Sequence, residues 1–252
     1  MGSDVQVSNS RCYPPHDLLH QASLFLDFDG TLVEIARRPD AVQVDKRLQK
    51  LMRTLVERLD GRVAVISGRP AEQIRGLLGD LIITVAGSHG LEVSDASGSE
   101  TFAARPASLD RALPAMEELA GLHPGVMVEK KPLGAALHFR EAPEAEARCL
   151  ALASELAAEH GLLLQPGKMV VELRAPGGDK GTAIRWLVAN RQMAGHRPVF
   201  IGDDVTDEAG FVAAADLGGA GILVGPPRPT AARYRLEGVE AVLDWLEQAT
   251  KS

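Results

Sequence analysis

Four short polar clusters combine carboxylates, a hydroxyl group and a lysine in a pattern that suits phosphoryl chemistry. They are Asp27-Phe28-Asp29-Gly30-Thr31, Ser67-Gly68-Arg69, Gly178-Asp179-Lys180-Gly181 and Gly202-Asp203-Asp204. Carboxylates gathered in one place repel each other unless a cation or a proton lies between them. No His or Cys accompanies them, so the ligands are hard oxygens and Mg²⁺ is the predicted cation. Because Mg²⁺ commonly bridges phosphate oxygens, the clusters indicate phosphoryl transfer or hydrolysis.

Asp27 is the most informative of these residues. It belongs to the apolar run Ser23–Phe28, where an unpaired carboxylate would be costly to bury. Asp29 lies two residues further on, on the same side of an extended chain. Lys180 can offset the charge of both Asp27 and a phosphate. The hydroxyl and N–H groups of residues 67–69, ahead of a helix N-terminus, suit a phosphate oxygen.

Simpler explanations exist for some of these residues. Ser67 alone could cap the helix that follows it. Asp27 and Asp29 together could form an ordinary turn, but a turn leaves the cost of burying Asp27 unexplained.

The elements that must position these clusters follow an α/β pattern. Apolar runs bounded by turn residues predict strands, and amphipathic stretches between them predict helices. The predicted strands are Ser23–Phe28, Arg62–Ile66, Leu81–Ala86, Pro198–Ile201 and Gly221–Val224. Ligands of open parallel sheets bind at the carboxyl ends of the strands, so the four clusters are expected to meet at one edge.

The middle third of the chain follows a different pattern. Helical stretches at 107–120 and 143–160 flank segments that alternate polar and apolar residues, namely Val126–Lys131, Ala135–Arg140 and Lys168–Arg174. Such strands predict a sheet covered by helices on one face and open on the other. We therefore expect a polar, loose leader over 1–21, a core over 22–105 and 175–252, and an inserted α+β cap over 106–174.

Composition restricts the class of protein. The 252 residues are 45% apolar with a formal charge of −7, which disfavours nucleic acid or an anionic membrane as the main partner. Cys12 and Cys149 form no metal-like or redox pair and predict free thiols in a reducing compartment. The N-terminal segment lacks the pattern of a secretory signal. These features predict a soluble, cytoplasmic protein.

The clusters resemble the four motifs of the haloacid dehalogenase superfamily of phosphotransferases. The resemblance rests on DFDGTL at 27–32, Ser67, Lys180 and GDD at 202–204. It implies a parallel-sheet, Rossmann-like α/β core with an inserted α+β cap domain. It also implies that Asp27 is the nucleophile and Asp29 the general acid and base. Mg²⁺ would be held by the Asp27 and Asp203 side chains and the main-chain carbonyl of Asp29. In the mechanism that we expect, Ser67, Gly68 and Lys180 bind the phosphate, and Asp204 and Asp207 orient the metal shell.

From about residue 22 onward the chain is similar, more narrowly, to trehalose-6-phosphate phosphatases. The matching segments are GSHGLE (87–92), VEKKPLGAALHFR (128–140), GKMVVELR (167–174), DKGTAI (179–184) and GDDVTDE (202–208). The similarity implies hydrolysis of trehalose 6-phosphate through an aspartyl-phosphate, downstream of a separate synthase. The residues expected to bind substrate are Arg69, His89, Glu129, Lys131, His138, Arg140, Lys168 and Glu172.

Several alternatives stay open at the level of sequence. The cap residues alone determine which sugar phosphate is bound, so sucrose 6-phosphate and mannosyl-3-phosphoglycerate are alternative predicted substrates. The polar cap face could also be merely solvated. Lys130 adjoins Lys131, and a shift of one residue in strand register would exchange them. A phospho-accepting receiver protein uses a similar Asp, Ser/Thr, Lys and Mg²⁺ set, but it has no use for a cap of about 70 residues.

Overall fold

The computed structural model describes residues 12–36, 38–95, 98–101, 104–190 and 193–251. In these parts of the chain the strands form two separate sheets. The strands are β1 (Ala22–Leu26), β2 (Val63–Ile66), β3 (Thr84–Gly87), β4 (Glu92–Asp95), β5 (Gly98–Thr101), β6 (Met127–Lys130), β7 (Gly134–His138), β8 (Leu163–Gly167), β9 (Val170–Arg174), β10 (Arg197–Gly202), β11 (Ala220–Val224) and β12 (Tyr234–Leu236). The α-helices are α1 (Lys46–Arg58), α2 (Ala71–Leu78), α3 (Ala107–Leu122), α4 (Glu146–His160), α5 (Lys180–Asn190), α6 (Glu208–Asp216) and α7 (Val239–Ala249).

The larger sheet has the strand order β12-β11-β10-β1-β2-β3-β4-β5. The six strands from β12 to β3 are parallel, whereas β4 and β5 add an antiparallel edge. Leu24 of β1 lies between Val199 of β10 and Val63 of β2 in this register. The carboxyl ends of β1, β2 and β10 therefore lie side by side, at the edge where three of the polar clusters follow them.

Strand β1 is apolar on both faces because helices cover both sides of the sheet. Leu24 and Leu26 pack in a cluster with residues of α1, α2 and α7. Phe25, which points the opposite way, packs with residues of α5 and α6, including Phe211. This alternation in side-chain direction explains why a buried parallel strand is a continuous apolar run in sequence. The predicted parallel α/β fold class is confirmed.

The leader was predicted to be loose, and for the part that the structure describes this is wrong. Residues His16–Leu19 form a turn of 3₁₀ helix, and Leu19 is buried. The indole Nε1 of Trp245 in α7 donates a hydrogen bond to the carbonyl oxygen of Pro14 at 2.9 Å. The apolar side chain and this bond attach residues 12–21 to the core. The prediction for residues 1–11 lies outside the described residues.

The smaller sheet has the antiparallel order β6-β7-β9-β8, with α3 and α4 packed on one face. The opposite face was expected to be open, in the sense of not covered by helices, and to carry the substrate-binding residues. In the structure it is turned toward the core, so the alternative of a merely solvated face is wrong. His138 and Glu172 on that face are each only 7% exposed. The polar residues of the alternating pattern therefore line a cleft between the two sheets.

The sequence pattern missed four strands, and each lacks the apolar signal of a buried strand. Strands β4 and β5 form a polar edge hairpin, β12 has only three residues, and β8 contains Pro166 and ends at Gly167. Helix α2 begins at Ala71 with Pro70 as its N-cap. None of the helices in the described ranges has both the length and the hydropathy needed to cross a bilayer.

Candidate active site

The predicted site residues converge on one cleft between the carboxyl edge of the parallel sheet and the polar face of the smaller sheet. Its free volume is about 860 Å³ when the solvent at its mouth is included. The predicted residues that line it are Asp27, Asp29, Ser67, Gly68, Arg69, His89, Glu129, Lys131, His138, Arg140, Lys168, Glu172, Lys180, Asp203 and Asp204. Asp207 lies beneath the surface of the cleft and is fully buried.

Three carboxylates and one ammonium group form the floor of the cleft. Oxygen atoms of Asp27, Asp203 and Asp207 all lie within 4.8 Å of one another. The Nζ atom of Lys180, the first residue of α5, lies 2.6 Å from Asp27 Oδ1 and 2.6 Å from Asp207 Oδ1. Although burial lowers the pKa of Lys180, the Asp207 and Asp27 carboxylates outweigh it and raise that pKa. Lys180 is therefore a permanent cation at this position.

The negative charge of the floor exceeds what Lys180 neutralises. Burial raises the pKa of Asp27 well above its usual range, and the nearby Asp207 and Asp203 carboxylates add to the effect against the opposing charge of Lys180. Burial and the Asp207 carboxylate likewise raise the pKa of Asp203, even though the Lys168 ammonium contacts Asp203. An oxygen-only ligand set with excess negative charge fits a hard divalent cation such as Mg²⁺.

Gly30 allows the loop after β1 to approach the Asp203 carboxylate. A Cβ atom at this position would overlap that carboxylate, and the backbone φ of +87° belongs to the region that glycine favours. The close approach brings the main chain at Asp29 and Gly30 to the same place as the acidic floor. This explains the Gly in the Asp-x-Asp-Gly pattern.

Asp204 and Asp207 organise the loop that carries Asp203. The N–H of Val205 donates to Asp204 Oδ1 at 2.6 Å, and the N–H of Asp204 donates to Asp207 Oδ2 at 2.8 Å. Asp207 therefore holds both this loop and Lys180. The predicted role of the two residues, to orient a metal shell, stays a prediction.

Asp29 and Arg69 form a bidentate ion pair at the wall of the cleft. Arg69 Nε lies 2.6 Å from Asp29 Oδ2, and Arg69 Nη2 lies 2.8 Å from Asp29 Oδ1. The Arg69 side chain is 9% exposed and that of Asp29 is 31% exposed. Arg69 was predicted to bind substrate, but in this conformation it contacts Asp29, the residue predicted to act as both general acid and general base. The backbone N–H of Arg69 donates to Ser67 Oγ at 3.1 Å, which leaves the Ser67 O–H group able to donate to a ligand.

A charged network on the polar face of the smaller sheet forms the roof of the cleft. Lys131 Nζ lies 2.5 Å from Glu172 Oε2 and 3.9 Å from Glu129 Oε2. His138 Nε2 and Glu129 Oε2 are 2.8 Å apart. Burial tends to raise the pKa of Glu172, but the charge of Lys131 and the contact with His89 outweigh it and lower that pKa to about 2. The roof thus presents ionised groups to the cleft.

The register of β6 distinguishes the two adjacent lysines. Lys131 lines the cleft, and its side chain is 9% exposed. The Lys130 side chain is 60% exposed and pairs with Glu117 of α3 at 2.6 Å, on the other face of the sheet. Of these two neighbours, Lys131 is the one that can contact a ligand in the cleft.

His89 fills the wall between the two sheets. It is 8% exposed, and its backbone φ of +58° places it in the left-handed region. Its Nε2 lies 3.6 Å from Glu172 Oε2, and burial lowers the pKa of the imidazole. A Cβ on Gly68 would overlap the His89 ring, so the glycine makes room for it. A neutral, tightly packed imidazole can orient Glu172 as well as contact a ligand.

Arg140 and Lys168 connect the cap to the core. Arg140 Nη1 donates to the carbonyl oxygen of Ala36 at 2.7 Å, and Arg140 Nη2 donates to that of Lys168 at 3.2 Å. The Lys168 ammonium contacts the Asp203 carboxylate, and its side chain is 49% exposed. Both cations therefore lie where the two sheets face each other, above the acidic floor.

Gln165 is a cleft residue that the sequence analysis missed. Glu129 lies opposite Ala136 in the antiparallel register. Ala136 lies opposite Glu172, and Glu172 lies opposite Gln165, so all four form one row across the sheet. Gln165 lines the cleft, as do Glu129 and Glu172 of the same row. The signal that could have found it was its pairing with Glu172, but Pro166 and Gly167 hid strand β8.

Comparison with known proteins shows to which family the chain belongs. Residues 25–240 match the family described as Trehalose-phosphatase. The chain belongs to the trehalose-phosphatase family. Membership makes it a phosphoric monoester hydrolase of the haloacid dehalogenase superfamily, and it does not support the receiver alternative.

Individual members of the trehalose-phosphatase family match over most of the chain. The trehalose-6-phosphate phosphatase of Escherichia coli (strain K12) is 36% identical over 228 residues, which are 90% of this chain and 85% of that protein. A probable trehalose-phosphate phosphatase of Sinorhizobium fredii (strain NBRC 101917 / NGR234) is also 36% identical, over 82% of this chain and 79% of its own.

A solved structure supports the same fold. The crystal structure of a trehalose-6-phosphate phosphatase related protein superposes with a TM-score of 0.78 at 28% identity, covering 90% of this chain and 96% of its own. The fold described above is therefore shared with a solved structure over 90% of the chain.

Proposed function

We propose that this protein hydrolyses trehalose 6-phosphate to trehalose and inorganic phosphate, with Asp27 as the nucleophile. The observation that carries the proposal is a single cleft in which Asp27, Lys180 and Asp203 face the charged roof formed by Glu129, Lys131 and Glu172. The floor suits a phosphate group and the roof suits a sugar rich in hydroxyl groups. The names of the trehalose-phosphatase relatives support the same substrate.

In the first step an Asp27 oxygen attacks phosphorus as the bond to the sugar oxygen breaks, and Asp29 gives its proton to that oxygen. In the second step water attacks phosphorus, Asp29 accepts a proton from the water, and the bond from phosphorus to Asp27 breaks. Lys180, 2.6 Å from Asp27, neutralises charge that develops on the phosphoryl oxygens. Ser67 and the N–H groups of residues 68 and 69 would bind one of these oxygens.

Mg²⁺ would be held by the Asp27 and Asp203 carboxylates and by the main-chain carbonyl of Asp29. When bound, it would offset the negative charge of the phosphate and of the floor. Asp204 and Asp207 would keep the Asp203 loop in place through their hydrogen bonds to its backbone.

The ion pair between Asp29 and Arg69 affects when Asp29 can take part in the reaction. The Arg69 guanidinium occupies both carboxylate oxygens of Asp29, so Asp29 cannot contact the sugar oxygen while this ion pair lasts. We therefore expect Arg69 to leave Asp29 when substrate enters and to bind the substrate instead. Such an exchange would make Asp29 competent as an acid only in the loaded site.

The roof residues would recognise the sugar through hydrogen bonds to its hydroxyl groups. Glu129, Lys131 and Glu172 offer charged donors and acceptors to hydroxyl groups, and hydrogen bonds to charged groups are the strong ones. His138 adds an imidazole ring to the same face. Arg140 and Lys168 at the junction of the two sheets would contact the phosphate side of the disaccharide. His89 would hold Glu172 in its orientation, 3.6 Å away.

The proposed setting is the cytoplasm. Cys12 and Cys149 are both free thiols, which suits a reducing compartment. The substrate would come from a synthase on another protein.

The test is an assay of phosphate release from trehalose 6-phosphate, sucrose 6-phosphate, mannosyl-3-phosphoglycerate and p-nitrophenyl phosphate, with Mg²⁺ and with EDTA. We expect many turnovers, the highest kcat/KM for trehalose 6-phosphate, and loss of activity in EDTA that added Mg²⁺ restores. Preference for another sugar phosphate would contradict the substrate. Activity that survives complete metal removal would contradict the role of Mg²⁺.

A further inference from the structure

A partly buried arginine outside the cleft supports the loop that carries Asp203. Arg228 lies in the loop 225–233 that leaves the carboxyl end of β11. Strand β11 is the direct neighbour of β10, which ends at Gly202 immediately before Asp203. The Arg228 side chain is 23% exposed, so the fold has covered most of a charged group that contacts neither floor nor roof.

Both ends of the Arg228 guanidinium have specific partners. Nη2 donates to the main-chain carbonyl oxygen of Asp204 at 2.7 Å, and Nη1 contacts the Glu208 carboxylate. The other oxygen of Glu208 accepts a hydrogen bond from the N–H of Ala231 at 2.8 Å. Glu208, the first residue of α6, therefore fixes Arg228 and also ties the far end of the 225–233 loop to the helix.

These bonds hold Asp204 on both sides. Its N–H donates to Asp207 Oδ2 at 2.8 Å, and its carbonyl oxygen accepts from Arg228. The N–H belongs to the peptide group that joins Asp203 to Asp204, and the carbonyl belongs to the next peptide group along the chain. Because these two hydrogen bonds fix the backbone on both sides of the Asp204 Cα, we expect both to set the direction of the Asp203 carboxylate. Asp207 supplies one anchor from within the loop, and Arg228 supplies the other from a different part of the chain.

We infer that Arg228, held by Glu208, is a positioning residue for the Asp203 carboxylate and thereby sets the affinity of the site for a divalent cation. The inference rests on the proposed function, because it takes the acidic floor to be a metal site. Groups that orient metal ligands typically change metal affinity by about 10- to 100-fold when they are removed. Arg228 touches no residue of the roof, so sugar binding at saturating Mg²⁺ should not depend on it.

The experiment compares wild type with Arg228→Gln, Arg228→Lys and Glu208→Gln. Mg²⁺ binding is measured without substrate by calorimetric titration and by the Mg²⁺-dependent rise in the thermal midpoint. We expect the Kd for Mg²⁺ to rise by about 10- to 100-fold in Arg228→Gln and Glu208→Gln. The Kd of Arg228→Lys for Mg²⁺ should lie between these values and that of wild type, because an ammonium group keeps the charge but cannot contact two partners as a guanidinium does. KM for the sugar phosphate at saturating Mg²⁺ should stay within about twofold of wild type.

Arg185→Gln is the matched control. It removes the exposed ion pair with Asp216 that joins α5 to α6, without touching the Asp203 loop, so Mg²⁺ affinity should not change. If the Arg228 variants melt earlier but bind Mg²⁺ as wild type does, the role of Arg228 is only structural and the inference is wrong. Wild type that binds Mg²⁺ but releases no phosphate from trehalose 6-phosphate would instead contradict the proposed function, which keeps the two failures distinguishable.

Discussion

The ammonium group of Lys131 and the carboxylate of Glu172 form an ion pair inside the cleft, with Nζ 2.5 Å from Oε2. Lys131 Nζ also donates to the main-chain carbonyl oxygen of Gly68 at 3.3 Å. Both side chains are 9% exposed, so the pair has lost most of its hydration. Since Gly68 belongs to the core, a pair on the smaller sheet also contacts the larger one.

Stability should depend on pH through this pair. The pKa of Glu172 in the folded protein, about 2, lies below its ordinary value of 4.5. The ionised carboxylate therefore stabilises the fold above pH 4.5, and this contribution is lost as the pH falls from 4.5 to about 2. The difference corresponds to roughly 3 kcal/mol. In urea unfolding, the gap between wild type and Glu172→Gln should be widest above pH 4.5 and close towards pH 2.

Glu117→Gln serves as the comparison for that experiment. Glu117 pairs with Lys130, but both side chains are about half exposed or more, and such pairs contribute little. The gap between this variant and wild type should be small at every pH. A Glu172→Gln gap that does not change with pH would show that the buried pair makes no titratable contribution.

The two adjacent lysines should behave differently in catalysis. Lys131→Ala removes a donor from the roof, and a charged hydrogen bond is worth about 1.5–3 kcal/mol. We expect kcat/KM for trehalose 6-phosphate to fall by about 10- to 100-fold, while turnover of p-nitrophenyl phosphate falls far less. Lys130→Ala should leave both activities unchanged. Equal losses of activity on the two substrates would show that Lys131 has no part in sugar recognition.

Asp27→Asn should separate catalysis from folding. An amide cannot attack phosphorus, so phosphate release should fall by at least about 1,000-fold. Burial already disfavours the charged form of Asp27, and Lys180 keeps Asp207 as a partner. The free energy of unfolding should therefore change by less than about 2 kcal/mol. Turnover close to wild type, in a variant verified by mass spectrometry, would exclude Asp27 as the nucleophile.

Gln165→Ala tests the row of residues across the smaller sheet. Gln165 lies opposite Glu172 and lines the cleft. Its amide can contact a sugar hydroxyl group, and a neutral hydrogen bond is worth about 0.5–1.5 kcal/mol. We expect KM for trehalose 6-phosphate to rise by about 2- to 10-fold with p-nitrophenyl phosphate turnover unchanged. Unchanged KM would mean that the amide does not reach the sugar.

The sequence allowed the core of the fold to be predicted because buried parallel strands are apolar on both faces. Residues 23–28, for example, contain β1 and end where the acidic floor begins. The same logic brought Asp27, Lys180 and Asp203 to one edge. Strands β5, β8 and β12 escaped it because edge strands need no apolar run. Strand β4 lies between β3 and β5, but its four residues Glu92–Asp95 contain only one apolar side chain.

Side-chain partners were less accessible to prediction than backbone elements. That Asp29 pairs with Arg69, and that Arg228 reaches the carbonyl of Asp204, depends on loop conformations that spacing does not encode. Periodicity predicted which face of the smaller sheet is polar, but it left open whether that face binds substrate or is merely solvated, because it does not reveal what lies opposite. Only the placement of the cap over the core showed that Glu172 is buried.

The register of β1 has a consequence for how the chain is made. One neighbour of β1 is β2, about 40 residues later, but the other is β10, with Ala22 opposite Arg197 and Leu26 opposite Ile201. A ribosome therefore releases the whole of Ala107–Arg174 before the second neighbour of this apolar strand exists. Until then one backbone edge of β1 has no partner from the larger sheet, and such an edge can pair with another nascent chain. Aggregation during translation is thus a greater hazard for the larger sheet than for the smaller one, whose four strands emerge consecutively.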